Sequence, residues 1–213
     1  MPNSEHAGQE TGRTFIEEAR RRQIVEAATE VIVEEGYGQA TLERIARRAG
    51  ISRGLISYHF EGRDDLMTAV FAKAYEDGVA YMRPRIEAAK TPTTTLRAYV
   101  QSNLEYLRDH RKQVLALVAV RRGGNLAHLD RSVAGLARSL VELERILRWG
   151  QEAGEFRDFD VHAMAIAIRN VIDGLFNHLA AEPDLDLDRF IAEALTLVTL
   201  ATRTQSEAGR IHR

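Results

Sequence analysis

The stretch that decides the fold is "TLERIARRAGISRGLISYHF", Thr41–Phe60. Thr41 stands just before Leu42, Ile45 and Ala46, which recur at helical spacing, so it reads as an N-cap. The run closes at Gly50, a glycine placed where a positive φ is needed to leave a helix. Ser52 then caps a second short helix that ends near His59. Two helices joined by a tight glycine-bearing turn, the second short and polar on one face, form helix-turn-helix geometry. Ala46 is small where the second helix must cross the first. Ile51 and Ile56 supply the apolar contacts that pin it. Arg53, Gly54, Ser57 and Tyr58 are left facing outward near its start.

Those residue types suit a major groove, to which a recognition helix presents its N-terminal residues. Arg53 can bond a guanine bidentately at O6 and N7. Ser57, Tyr58 and His59 can donate to phosphates, which fix register without reading sequence. Gly54 weakens the helix by about 1 kcal/mol, and its missing side chain lets the helix sit deeper. Thr41, at a helix start, offers backbone N–H groups to a phosphate. Arg63, at the start of the next helix, is a natural phosphate anchor. Between Thr41 and Arg63 five arginines (44, 47, 48, 53 and 63) face only Glu43 and Glu61, which makes the reading face basic. Three packed helices with ordinary exposed side chains remain the plainer reading of the same pattern.

Working outward, Ile24, Ala27, Ala28, Val31 and Ile32 form the apolar stripe of a helix over 14–35, ended by Gly36. Residues 1–13 are polar and without periodicity, and are expected to be a disordered arm. Past "EGRDD" a fourth helix carries Leu66, Val70, Phe71 and Tyr75 and is expected to break or bend at Pro84. Longer amphipathic helices follow, at about 94–109, 112–121, 126–152, 160–181 and 186–204. The helix near 160–181 is apolar on two faces. One carries Ala165, Ile168, Ile172 and Leu175; the other carries Ile166, Asn170, Gly174 and His178. The last helix has a comparable second stripe in Ile191, Leu195, Val198 and Thr202. Helices buried on two sides suit a two-fold four-helix interface. The expected dimer contacts are therefore Ile166, Asn170, Gly174, His178, Leu195, Val198 and Thr202, with burial inside one protomer as the alternative. For a small molecule, the polar groups scattered among apolar helices are Tyr99, Asn103, Tyr106, Arg122, Trp149 and Asp173. Tyr99, Asn103 and Tyr106 share a helical face. Arg169 and Asp173, four residues apart, are equally placed to pair with each other.

The remaining composition excludes more than it suggests. The 213 residues contain no cysteine, so there is no disulfide, thiolate metal site or cysteine nucleophile. The net charge of −2 gives no global pull towards nucleic acid or membrane. The polar N-terminus lacks a secretory pattern and no apolar run is long enough to span a bilayer, so a cytoplasmic protein is expected. None of the seven histidines pairs with another at three or four residues. There is no HExxH or GxSxG, and "RRGGN" lacks the ending of a phosphate loop, so neither a metal, a cofactor nor catalysis is indicated.

"TLERIARRAGISRGLISYHFEGRDDLMTAVFAKAY" resembles the TetR family of bacterial transcriptional regulators. The matching positions are Thr41, Ile45-Ala46, Ala49 to Ser52, Gly54, Ile56, Tyr58 to Phe60, Arg63 and Leu66. The likeness covers about residues 14–75. Ser57 stands where the family more often has an aromatic, and Arg63 where it usually has lysine. The resemblance implies a phosphate contact from the position of Arg63, with Phe60 packing the short helices onto the fourth. With the residue chemistry above, the expected DNA contacts are Thr41, Ser52, Arg53, Gly54, Ser57, Tyr58, His59 and Arg63. The resemblance also implies a ligand-binding and dimerisation body. The expected protein is all-α: an arm (1–13), a three-helix DNA-binding domain (14–62) and a helical ligand-binding and dimerisation domain (63–213). It would bind a near-palindromic double-stranded operator as a homodimer and be released by a small-molecule effector. A helical protein-interaction module without specific DNA binding is the rival.

Overall fold

The computed structural model describes the backbone of residues 5–123, 130–179, 181, 182 and 184–204. Side chains are described for 15–120, 139–176, 178, 179, 181, 182 and 184–204. Among these residues there are nine α-helices and no β-strand. They are α1 (Glu5–Glu35), α2 (Leu42–Ala49), α3 (Arg53–His59), α4 (Arg63–Ala88) and α5 (Pro92–Asp109), then α6 (Arg111–Gly123), α7 (Asp130–Glu152), α8 (Val161–His178) and α9 (Leu187–Thr202).

The local signals act as their chemistry dictates. Thr41 accepts a hydrogen bond from the Arg44 backbone N–H and caps α2, and Ser52 accepts one from Leu55 and caps α3. Gly50 closes α2 with φ +66°, the left-handed region that a side chain disfavours. Thr91, Asp160 and Asp186 cap α5, α8 and α9 in the same way.

Two expectations about helix ends are corrected. α1 begins at Glu5, so residues 5–13 continue the helix instead of forming a disordered arm. After Pro2 no proline interrupts this segment, so nothing in its backbone forbids helix. α4 does not break at Pro84 but runs through it to Ala88. The missing N–H falls within the last two turns, where little helix remains to disrupt.

Two cores divide the molecule. The first joins Ile24, Ala28 and Val31 of α1 to Ile45, Ile56 and Phe60, and then to Leu66, Met67 and Val70 of α4. It also takes in Ala116, Leu117 and Val120 of α6, so this head is packed well beyond residue 62. The second core gathers Leu104, Val114, Leu143, Ile146, Leu147, Ile172 and Leu175 between α5, α6, α7, α8 and α9. Each fully buried Ile or Leu contributes roughly 1.5–3 kcal/mol. Phe176 packs against both cores.

α9 settles which of its stripes lies inside. Leu195, Val198 and Thr202 are 7%, 4% and 2% exposed. They pack within the protomer and are withdrawn as dimer contacts. Both stripes are apolar, and contact with α5 turns this one inward. Leu197 and Leu200 face outward instead, more than half exposed. α8 behaves as its two faces require. Ala165, Ile168, Ile172 and Leu175 are buried, Ile166, Asn170 and His178 are exposed, and Gly174 is half-buried.

Candidate functional site

α1 holds the two short helices of the head in place. The Gln23 amide donates to the Ala49 carbonyl at the end of α2 (2.8 Å). The Arg21 guanidinium donates to the His59 carbonyl at the end of α3 and lies 4.0 Å over the Phe60 ring. Phe60 is itself buried. The helix-turn-helix is thus fixed at both C-termini, while the N-terminus of α3 stands free of the core. Arg53 and Gly54 are exposed at that end, and Ser57 and Tyr58 are exposed further along the helix, Tyr58 by 67%. His59 is half-buried and meets the Tyr58 ring edge-on at 5.0 Å. The Tyr58 hydroxyl reaches Glu17 of α1 at 3.5 Å. The Thr41 and Ser52 oxygens accept their cap bonds, which leaves the hydroxyl protons to donate outward.

The charge of this face differs from the count along the chain. Arg44 pairs with Glu35, and Arg48 with Glu34 and, at 3.3 Å, with Glu30. Arg48 holds the Glu34 carboxyl below the usual range through its hydrogen bond. The glutamates of α1 therefore neutralise two of the five arginines. A third, Arg63, turns inward. Its Nε donates to the Ala40 carbonyl (3.0 Å), Nη1 to the Tyr37 hydroxyl (3.0 Å) and Nη2 to the Tyr37 carbonyl (2.6 Å). Its guanidinium also lies 4.1 Å over the Tyr37 ring. Arg63 is thus a brace between α4 and the turn before α2, not the free anchor that the sequence suggested. Any phosphate contact falls to its two remaining N–H groups. Arg47 and Arg53 are the exposed arginines left on this face, and Arg53 meets the Glu43 carboxylate at 2.5 Å.

In the body, a cleft of about 330 Å³ opens between α4, α5 and α7. Tyr75, Val79, Met82, Arg83, Ile86 and Glu87 of α4 line one side, facing Tyr99, Ser139 and Glu142. Of the described residues expected to meet a ligand, Tyr99 alone is among those lining this cleft. Its hydroxyl donates to the Ser139 carbonyl (3.1 Å) and accepts from Arg169 (3.4 Å). Burial pushes the Tyr99 phenol up, and Arg169 pulls the other way. Asn103 lies behind the cleft, bonded to the Tyr99 carbonyl and to Arg169. Asp173 pairs with Arg169 at 2.9 Å, as the four-residue spacing allowed. Burial opposes the Arg169 charge, but Tyr99 and Asp173 outweigh it and keep the guanidinium firmly protonated.

Tyr106 packs over Gly78 and stacks on His110 at 4.3 Å, and burial holds its phenol at about 12. Trp149 sits on α7 outside the cleft lining. The Arg122 side chain lies outside the described residues. The face of α4 from Tyr75 to Ile86 was missed, although its spacing of four, three and four residues is an apolar stripe that nothing else explained. Among the described residues no cluster of His, Cys, Asp or Glu could hold a metal, and no helix is long and apolar enough to cross a membrane.

Exposed polar groups at the start of α3, a capped turn and a rigid α1 clamp define a helix-turn-helix protein. The sequence pattern described as "Bacterial regulatory proteins, tetR family" matches residues 24–70. The chain is 38% identical over 87 residues to the HTH-type transcriptional regulator BetI 1 of Chromohalobacter salexigens, covering 40% of this chain and 43% of that relative's length. It is 28% identical over 153 residues to the fatty acid metabolism regulator protein of Bacillus subtilis, covering 71% and 78%. The crystal structure of the transcriptional regulator FadR from Bacillus subtilis in complex with stearoyl-CoA superposes with a TM-score of 0.72 at 23% identity, covering 84% of this chain and 98% of that one. Residues 24–70 thus carry the sequence pattern of the tetR family of bacterial regulatory proteins, and the relatives the chain resembles are named as regulators, not enzymes.

Proposed function

We propose that this chain is a cytoplasmic, sequence-specific transcriptional repressor that binds a near-palindromic operator as a homodimer and is released by a small molecule. Residues 14–62 form the reading unit, and Arg53 reads a base while Thr41, Ser52, Ser57, Tyr58, His59 and Arg63 meet the backbone. The observation that carries the coupling is the continuity of α4. Its first turns belong to the core of the head, and its last turns line the cleft. A ligand that favours one position of α4 shifts the population of head positions.

The exposed row Ile166 and Asn170 on α8, with Leu197 and Leu200 on α9, supports a two-fold interface in the body. Such a dimer would set two α3 helices one DNA turn apart, about 34 Å. The cleft suits an elongated amphiphile. Its α4 wall extends about 18 Å at 1.5 Å per residue. Val79, Met82 and Ile86 make the middle apolar, and the Tyr75, Tyr99 and Ser139 end offers hydrogen bonds. The stearoyl-CoA bound by the Bacillus subtilis relative makes acyl thioesters the first class to try.

The test is selection from random duplex DNA at two salt concentrations, with Arg53→Ala alongside. A palindromic site that the variant loses or relaxes supports the reading. Salt-labile binding without sequence preference leaves a helical interaction module in its place. Acyl thioesters of graded length, titrated with operator present and absent, test the coupling. Ligand and operator must weaken each other by the same factor. Saturating ligand that leaves operator affinity unchanged refutes release.

A further inference from the structure

Arg53 of α3 does not stand alone on the reading face. Its Nη1 lies 2.5 Å from Oε1 of Glu43, which projects from the first turn of α2. The two side chains remain 63% and 53% exposed, and a pair so wet contributes roughly 0–1 kcal/mol to folding. Stability therefore does not explain it. Helix spacing offers Glu43 a nearer local partner in Arg47, four residues further along the same helix. The carboxylate lies on Arg53 nonetheless. Arg44 and Arg48 are already taken by the glutamates of α1.

We propose that Glu43 is a specificity-determining positioning residue that aims Arg53 at its base and discourages binding through the DNA backbone alone. The inference rests on the DNA-reading role of α3 given above. Its physical basis is the fork of the guanidinium. With Nη1 drawn to the Glu43 carboxylate by charge, the Nε and Nη2 donors form the parallel pair that matches guanine O6 and N7. An arginine without this partner can swing to any phosphate and bind every sequence alike. Here such a swing strands a carboxylate against the DNA phosphates. On the correct base Arg53 keeps both partners, so the penalty falls on the wrong sequences only.

The experiment uses the full chain with Glu43→Gln, which keeps the size of the side chain and removes its charge. The operator is first selected with the parent protein, and the base pair read by Arg53 is the one whose preference relaxes in Arg53→Ala. Affinity is then measured for the operator, for the operator changed at that base pair, and for random duplex, at several salt concentrations. Thermal unfolding runs alongside and should not move, because the pair is exposed.

The expected result is about tenfold poorer discrimination at that one base pair, a fraction of what a bidentate contact supplies. Random duplex should bind several-fold tighter, with a salt slope steeper by about one as Arg53 gains a phosphate. In an Arg53→Ala background, Glu43→Gln should leave base preference untouched. The proposal is overturned if Glu43→Gln keeps the parent's discrimination while Arg53→Ala loses it, or if its effect on base preference persists without Arg53. A parent that selects no site overturns the DNA-reading role itself, and this inference with it.

Discussion

Replacing Gly54 with alanine should move folding and DNA binding in opposite directions. Gly54 is exposed in the first turn of α3, and a Cβ built there meets only the Ser52 Oγ, at an ordinary 3.9 Å. Nothing in the fold needs the glycine. Alanine should therefore gain helix propensity, about 0.4–1 kcal/mol through the lower entropy of the unfolded chain. For a chain of this length that raises the unfolding midpoint by about 1–4 °C. On DNA the new methyl stands between α3 and the groove floor beside Arg53. Losing part of a bidentate base contact, worth about 1–3 kcal/mol, weakens operator binding by roughly 5- to 100-fold. Thermal unfolding and fluorescence anisotropy on the selected operator read the two effects separately. A variant that is more stable and binds the operator unchanged would refute close approach as the reason for the glycine. A less stable variant would show that the space around position 54 has been misjudged.

Four further substitutions test the body. Gly150→Ala should cost about 1–3 kcal/mol by overpacking, because its Cβ would fall 1.9 Å from the Phe156 ring. Urea denaturation measures the loss, and in a Phe156→Ala background the added cost should vanish. Burial raises the Tyr106 phenol from 10 to about 12, so its contribution to stability is complete below pH 10 and is lost as pH climbs to 12. Tyr106→Phe should flatten that alkaline decline, and stability measured across this range with an unchanged slope would count against a buried phenol. Ile166→Asp, on a 41% exposed position, should give a folded monomer by analytical ultracentrifugation. Val198→Asp, on a 4% exposed position, should instead unfold the protomer.

The head was largely legible because its signals are local. A cap, a positive-φ glycine and a small residue at a crossing act within a few residues of themselves, and Thr41, Gly50 and Ala46 needed no distant partner to be read. Arg63 and the α1–α2 ion pairs were not legible in that way. Glu30 and Arg48 are far apart in sequence, so a charge count along 41–63 could not see the neutralisation. The body was harder because α9 carries two apolar stripes of similar strength, and contact with α5 decides which is buried. Tyr99, Asn103 and Tyr106 share a face on paper. In three dimensions Arg169 draws Asn103 away, Gly78 receives Tyr106, and only Tyr99 reaches the cleft.

Gly78 gives α4 a mechanical character. A Cβ at this position would lie 3.4 Å from the Tyr106 ring, so the bare backbone rests directly against α5 at one point along an unbroken helix. Treated as a fulcrum, it divides the helix unequally. The arm to Arg63 is about 22 Å and the arm to Glu87 about 14 Å at 1.5 Å per residue. A displacement of the short arm would reappear about 1.6 times larger at the head. Two protomers moving symmetrically would double it, so about 1 Å at each cleft becomes about 3 Å in the span between reading helices. Against a half-site spacing fixed by the pitch of DNA, that is enough to put the two heads out of register.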